Sequence, residues 1–240
     1  MEIYGQTNIG LVRASNQDSF KIGRFPSGSV WAVVCDGMGG ASGGDIASKM
    51  AVDLIAERIV NNYHDNMKHI SISNLLESAI NFANIKIYDL AREDKTLTGM
   101  GTTVVAAIVR QGEVFISHAG DSRAYIIGDE VKQITTDHSI VQEMLDRGEI
   151  TSDEAKNHPI KNYITRALGV SDRINVDFTS EIFSDNDVLL LCTDGLSNAV
   201  ESNDIKDIIV KADDNVAQSL VDKANENGGR DNITVVLASN

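Results

Sequence analysis

Proline is nearly missing from this chain, cysteine is scarce, basic residues are outnumbered, and no apolar run approaches the length of a membrane span. With 2 prolines, no internal repeat and no low-complexity tract, there is no candidate linker, and residues 1–240 read as one domain. The 2 cysteines, Cys35 and Cys192, each lie inside an apolar run (WAVVCD and VLLLCTD). Buried free thiols are therefore expected rather than a disulfide framework, which fits a reducing cytoplasm. Crossing a bilayer takes about 20 consecutive apolar residues, and the start MEIYGQTNIGLVR lacks the basic-then-apolar order of a secretory signal. Lys and Arg total 21 against 35 Asp and Glu, a net charge of −14, and no Lys/Arg cluster stands out. Nucleic acid and anionic membrane both need positive potential, so neither is an expected partner. The acid excess has two readings, solubility or carboxylates gathered around divalent cations, and composition does not choose between them.

What is present is a set of helical and extended patterns, the strands in groups and the helices in pairs. From Asp45, Ala47, Met50, Ala51, Leu54, Ile55 and Ile59 keep a helical rhythm; within Ser73 to Arg92, Leu76, Ala79, Ile80, Ala83, Ile87 and Leu90 do the same. Ser139 with Gln142 and Thr151 with Glu154 have capping-box spacing. Asn203 to Val210 and Asn215 to Glu226 read as later helices. The runs VWAVVC, TTVVAAIV, EVFISHA, RAYII, DVLLLCT and NITVVLA are short, β-branched and bounded by Gly, Asp or Asn, hence strands. Consecutive apolar positions predict cover on both faces, and the short turns RQG and GDS favour antiparallel pairing of TTVVAAIV, EVFISHA and RAYII. Grouped strands with paired helices predict an α+β layered sandwich.

Four aspartates share one kind of position. Asp36 ends VWAVVC, Asp194 ends DVLLLCT, Asp121 lies in the turn after EVFISHA, and Asp231 precedes NITVVLA. Any one of them is explained by the preference of Asp and Gly for turns. Together they suggest convergent strand ends, whose carboxylates would resist ionising without a cation. Hard oxygen ligands of this kind suit Mg²⁺ or Mn²⁺. Zinc is disfavoured, because His64, His69, His118, His138 and His158 form no His or Cys ligand motif. Ser122 is not in a G-x-S-x-G elbow and neither cysteine has a nearby His partner, so covalent catalysis lacks a candidate. The glycine-rich stretch 36–44 fails the G-x-G-x-x-G and P-loop patterns, which disfavours nucleotide binding.

Eight segments in order, NIGLVRASNQDS, VVCDGMGG, MGTT, AGDSRAY, TDHS, ITRALG, LLLCTDGL and GGRDNITVV, span nearly the whole chain. In these the sequence resembles the metal-dependent protein phosphatases of the PPM or PP2C type, in their compact bacterial form. The resemblance implies a four-layer α-β-β-α sandwich of two antiparallel sheets, with a metal cleft at one edge and a flap at approximately 139–165. It implies that Asp36, Asp194 and Asp231, with the Gly37 carbonyl, hold two central Mn²⁺ or Mg²⁺ ions, and that Asp121 with Asp194 holds a weaker third. Arg13 would grip the substrate phosphate and Asp18 would hydrogen-bond water on the metals. The implied reaction is hydrolysis of protein phosphoserine and phosphothreonine by a water bridging the central cations, opposing bacterial Ser/Thr kinases. Phosphorylated proteins, including a kinase and its substrates, are the implied partners, and a cytoplasmic monomer is expected.

In one respect the chain departs from many relatives. Met38 and Ala41 stand where those often carry histidine, leaving water on the cations as first choice of general acid and His138 or His158 as second. Two rival readings stand beside this one. A two-metal nuclease would want a basic track that this sequence lacks. A pseudophosphatase that binds phosphoproteins without turnover is the alternative kept open by the missing histidine.

Overall fold

The computed structural model describes residues 1–110, 112–211 and 215–239, with the backbone alone at 40–42. Strands β1 (Glu2–Asn8), β2 (Asp18–Arg24) and β3 (Val30–Met38) lead into two long helices, α1 (Gly40–Asn62) and α2 (His69–Glu93). A 3-10 turn at Lys95–Leu97 and the short β4 (Gly101–Thr102) precede β5 (Val104–Arg110), β6 (Glu113–Ala119), β7 (Arg123–Ile127) and β8 (Val131–Gln133). Helices α3 (Ile140–Asp146) and α4 (Ser152–Lys156) follow, then β9 (Asp177–Ile182), β10 (Val188–Cys192), α5 (Asp194–Ser197), α6 (Ser202–Lys211), α7 (Val216–Glu226) and β11 (Ile233–Ser239).

The strands form two sheets. One runs β1-β11-β10-β7-β8; the other runs β2-β3-β5-β6-β9, with β4 added beside β3. Every pairing between named strands is antiparallel. The period-2 alternation of side chains sorts each inner strand into two cores. On β3, Trp31, Val33 and Cys35 face α1 and α2, packing with Ala51, Ile55, Leu76 and Ile80. Val30, Ala32 and Val34 face the opposite way, into the space between sheets, with Val105, Leu189, Leu191 and Val236. The other sheet repeats the arrangement, placing Leu190, Cys192, Val235 and Leu237 against Leu196, Leu220 and Val221 of α5 and α7. The fold is α+β with four layers, and consecutive apolar residues do mark strands covered on both faces.

One expected pairing is wrong. TTVVAAIV and EVFISHA pair as β5 and β6, but RAYII does not continue that sheet. β7 lies in the other sheet, between β10 and β8. Gly120-Asp121-Ser122 therefore crosses from one layer to the next, and a short turn does this as readily as it closes a hairpin because Gly120 adopts a positive φ of 112°. The preceding turn RQG includes Gln111, outside the described residues. Helix α1 opens at Gly40, five residues before the expected Asp45, because its first turn is held by packing and not by propensity. A Cβ on Gly44 would lie 2.7 Å from the Gly37 carbonyl carbon, and one on Gly43 would lie 2.7 Å from Met100 Cβ. Both expected caps between β8 and β9 are present: Gln142 N–H donates to Ser139 Oγ, and Thr151 with Glu154 forms a reciprocal capping box. Backbone pairing closes the segment 139–165 at its base, where Ser139 bridges Ile164 and Ile140 N–H donates to the Tyr163 carbonyl at 2.9 Å.

Close approach of β11 to α5 leaves no space for a side chain at Gly195, where a Cβ would fall inside the shell of the Asn232 carbonyl oxygen. Gly195→Ala is expected to cost about 1–3 kcal/mol by overpacking, read as a lower midpoint of denaturant unfolding at unchanged slope. An unchanged midpoint would show that the start of β11 yields freely.

Candidate active site

Antiparallel pairing brings strand starts and strand ends of both sheets to one edge of the sandwich. Asp18 opens β2 directly opposite Asp36 near the end of β3. Asp194 follows β10 and begins α5, and Asp231 lies two residues before β11, which pairs with β10. Asp121 sits in the crossing turn between sheets. Asp36, Asp121, Asp194 and Asp231 line one cleft of about 350 Å³ together with Arg13, Gly37, Met38, Thr103, Asn162 and Ile164. All four expected aspartates converge, and Arg13 joins them. Gly37 has no room for a side chain, since a Cβ there would collide with the Gly44 carbonyl oxygen.

Local hydrogen bonds hold each group in place. Asp18 is buried, and its Oδ2 accepts from Thr193 Oγ1 at 2.8 Å and from Thr234 Oγ1 at 2.7 Å. Asp36 N–H donates to Thr103 Oγ1 at 3.0 Å, and Thr102 Oγ1 donates to the Asp36 carbonyl at 2.9 Å. Asn198 Nδ2 donates to Asp194 Oδ2 at 3.0 Å. The arginine loop is pinned by Asn232, whose Nδ2 donates to the carbonyls of Ile9 and Ser15 and whose Oδ1 accepts from Gln17 N–H. Arg13 Nη2 then reaches Asp231 Oδ2 at 2.7 Å from a half-exposed position. Sequence reasoning assigned no role to Thr103, Thr193, Asn232 or Thr234, although all four fall inside the MGTT, LLLCTDGL and GGRDNITVV segments.

The cleft is electrostatically strained as it stands. Burial first, then the charges of Asp18, Asp194, Asp121 and Asp231, lifts Asp36 well above the ordinary carboxylate range. Burial and the neighbouring Asp194 and Asp137 push Asp121 up to about 8. Asp18 rises to about 7 by burial, despite its two hydroxyl donors, and Asp194 to about 6 by burial and Asp231. Two buried oxygens, Asp18 Oδ1 and Asp194 Oδ1, have no hydrogen-bond partner. An oxygen-only set of crowded carboxylates with orphaned acceptors fits divalent Mn²⁺ or Mg²⁺, which would supply the missing positive charge.

No histidine is among the described residues that line the cleft. His138 fails as a general acid because both ring nitrogens are committed: Nδ1 accepts from Gly120 N–H at 3.1 Å and Nε2 faces Asp177 Oδ2 at 3.1 Å. His158 accepts from Ile160 N–H within segment 139–165. The sequence also concealed that His118, His138 and Asp177 gather with ligand atoms within 4.8 Å of one another. That cluster already holds a cation, since Arg166 Nη1 lies 2.6 Å from Asp177 Oδ1 and 3.0 Å from His138 Nε2. It is an ion-paired network and a poor place for a metal.

Comparison with known proteins places this geometry among relatives. The family described as protein phosphatase 2C matches residues 12–234. A protein named serine/threonine phosphatase stp, from Listeria monocytogenes, is 39% identical over 97% of this chain and 93% of its own length. The crystal structure of serine/threonine phosphatase Stp1 from Staphylococcus aureus superposes with a TM-score of 0.93 at 35% identity, covering 100% of this chain and 94% of that one. The catalytic domain of serine/threonine protein phosphatase PstP, solved in complex with 2 manganese ions, does so with a TM-score of 0.86 at 32% identity, covering 99% and 97%.

The crowded acids make a prediction about stability. A carboxyl whose folded pKa lies above its unfolded value stabilises the fold below the unfolded pKa, and that contribution is lost as pH rises through the folded value. With Asp194 at about 6, Asp18 at about 7 and Asp121 at about 8, metal-stripped protein is expected to melt at progressively lower temperature from pH 5 to pH 8.5. Added Mn²⁺ should remove most of the decline at the alkaline end. Melting temperatures that stay level across this range in EDTA would mean the carboxyls are not held close.

Proposed function

The chain belongs to the protein phosphatase 2C family, and from that premise we propose that it is a metal-dependent hydrolase of phosphoserine and phosphothreonine on proteins. In this reading Asp36, Asp194, Asp231 and the Gly37 carbonyl hold two central Mn²⁺ or Mg²⁺ ions, and Asp121 with Asp194 holds a weaker third. The observation that carries it is the convergence of four carboxylates and Arg13 on one cleft, with orphaned buried oxygens on Asp18 and Asp194.

Paired divalent cations, when bound, lower the pKa of water and neutralise charge developing on a transferring phosphoryl group. The protein's own groups do the rest. Arg13 offers a planar fork of donors to the phosphate oxygens, a geometry an ammonium does not match. Its ion pair with Asp231 holds the guanidinium at the cleft before substrate arrives. Asp18, with Oδ2 occupied by two hydroxyls, keeps Oδ1 to accept a hydrogen bond from the attacking water. With Met38 in the cleft and no histidine among the described residues that line it, the leaving serine or threonine oxygen takes its proton from water.

The finer reading extends to context. Residues 139–165 act as the flap beside the cleft, to which they contribute Asn162 and Ile164. The partners are phosphorylated proteins, among them a Ser/Thr kinase and its substrates in a bacterial cytoplasm, and the enzyme acts as a monomer. The bacterial relatives support the bacterial setting, and the buried free thiols Cys35 and Cys192 support a reducing compartment.

Hydrolysis of a phosphothreonine peptide in EDTA, Mg²⁺ or Mn²⁺ tests the core of the reading. Phosphate release is expected only with metal and is expected to vanish in Asp194→Ala; turnover by that variant near the parent rate would sink the assignment. Arg13→Ala should raise KM for the peptide by about tenfold or more, the loss of a charge-assisted pair. Asp121→Ala should lower metal stoichiometry in calorimetry while the two tighter ions stay bound. Folded protein that binds Mn²⁺ and the peptide but releases no phosphate would point to the phosphoprotein-binding alternative.

A further inference from the structure

The turn that carries Asp121 is clamped by a residue outside the cleft. Both backbone polar groups of Gly120 go to His138: Gly120 N–H donates to Nδ1 at 3.1 Å, and His138 N–H donates to the Gly120 carbonyl at 2.9 Å. On the other flank of the turn Ser122 Oγ meets Thr103 Oγ1 at 2.7 Å, and that hydroxyl accepts from Asp36 N–H. The turn is gripped from two sides, one grip leading to a central aspartate and the other away from the cleft.

A backbone N–H donates whatever the pH, so Nδ1 must present a lone pair and the proton of the neutral ring sits on Nε2. Nε2–H then donates to Asp177 Oδ2 at 3.1 Å, while Arg166 Nη1, 3.0 Å from Nε2, makes no hydrogen bond to the protonated nitrogen and donates instead to Asp177 Oδ1 at 2.6 Å. The ring is buried and stacked on His118, 4.6 Å between centroids and 9° from parallel. Burial first holds the His138 pKa down, in keeping with a neutral ring. His138 is also the root of segment 139–165. Its carbonyl accepts from Thr165 N–H at 2.8 Å, and the next residue, Ser139, bridges Ile164. One residue thus grips the ligand turn with its ring and the base of the flap with its backbone.

We propose that His138 is a positioning residue that ties the base of segment 139–165 to the Asp121 turn, so that the affinity of the weaker cation site depends on the His138–Asp177–Arg166 chain. This rests on the reading of Asp121 as a ligand of that site. The influence runs through the Gly120 backbone, and His138 touches neither substrate nor the reacting atoms. Partners that orient a ligand in this way typically set metal affinity by about 10- to 100-fold.

Titration calorimetry of Mn²⁺ into metal-stripped protein tests it without substrate. His138→Ala is expected to weaken the weakest site by about 10-fold or more and to leave the two tighter sites within about threefold. His138→Asn, whose Oδ1 can accept from Gly120 N–H in place of Nδ1, should stay within about threefold of the parent at all sites. Asp177→Ala removes a half-exposed side chain and tests the same chain of contacts should His138→Ala fail to fold; it should weaken only the weakest site. In an Asp121→Asn background, adding His138→Ala should change nothing further. Unchanged weak-site affinity in the Ala variants, equal weakening of every site, or an Asn variant as impaired as Ala would each overturn the proposal. Parent protein that binds Mn²⁺ as described yet hydrolyses no phosphopeptide would instead defeat the proposed function and leave the positioning role intact.

Discussion

Repulsion among carboxylates is the constraint around which this molecule is arranged. Asp36, Asp121, Asp194 and Asp231 share one cleft, and Asp18 sits directly behind Asp36 in the strand register. Like charges at the rim of a low-dielectric interior drive one another apart or take up protons. Neither sheet alone could hold them, because Asp36 belongs to one sheet and Asp194 and Asp231 to the ends of paired strands in the other. The sandwich keeps them together by setting Asp18, Asp36, Asp194 and Asp231 at the ends of buried ladders and Asp121 in the turn between the sheets, with hydroxyls replacing lost water at Asp18. Stability is thereby given up at the cleft and recovered in the cores on either side of each sheet, and cations relieve what remains.

How much of the fold could be read in advance follows from burial. The strands recognised from their apolar runs, such as VWAVVC and DVLLLCT, lie inside the sheets with cores on both faces. The ones that escaped notice, β1, β2, β8 and β9, are the outermost strands of the two sheets. Half-exposed strands such as DSFKIGR and DFTSEI mix apolar and polar positions, so their identity comes from the neighbour they pair with. The misassigned RAYII pairing has a related cause. Its pattern shows an inner strand correctly, but nothing within five apolar-rich residues says which of two stacked sheets receives it.

The site divides in the same way. Chemistry-bearing residues at strand ends, above all Asp36, Asp194 and Asp231, were legible because an acid closing an apolar run is locally odd. Thr193 and Thr234 were not, because a threonine beside a strand is ordinary until the ladder sets both hydroxyls on one carboxylate. His138 shows the limit most clearly. As a letter among five histidines it suggested a proton donor; packed against Gly120 and Asp177, it has no proton to give to the cleft.

The ion pair between Arg13 and Asp231 joins residues 218 apart in sequence, and Asn232 staples the same early loop from just before β11. During translation, a chain still attached to the ribosome could fold the α1–α2 side of its sandwich while the loop holding Arg13 hung loose, for want of β11. The cleft cannot close before residues 231 and 232 have been made, so hydrolysis waits on the strand that follows them.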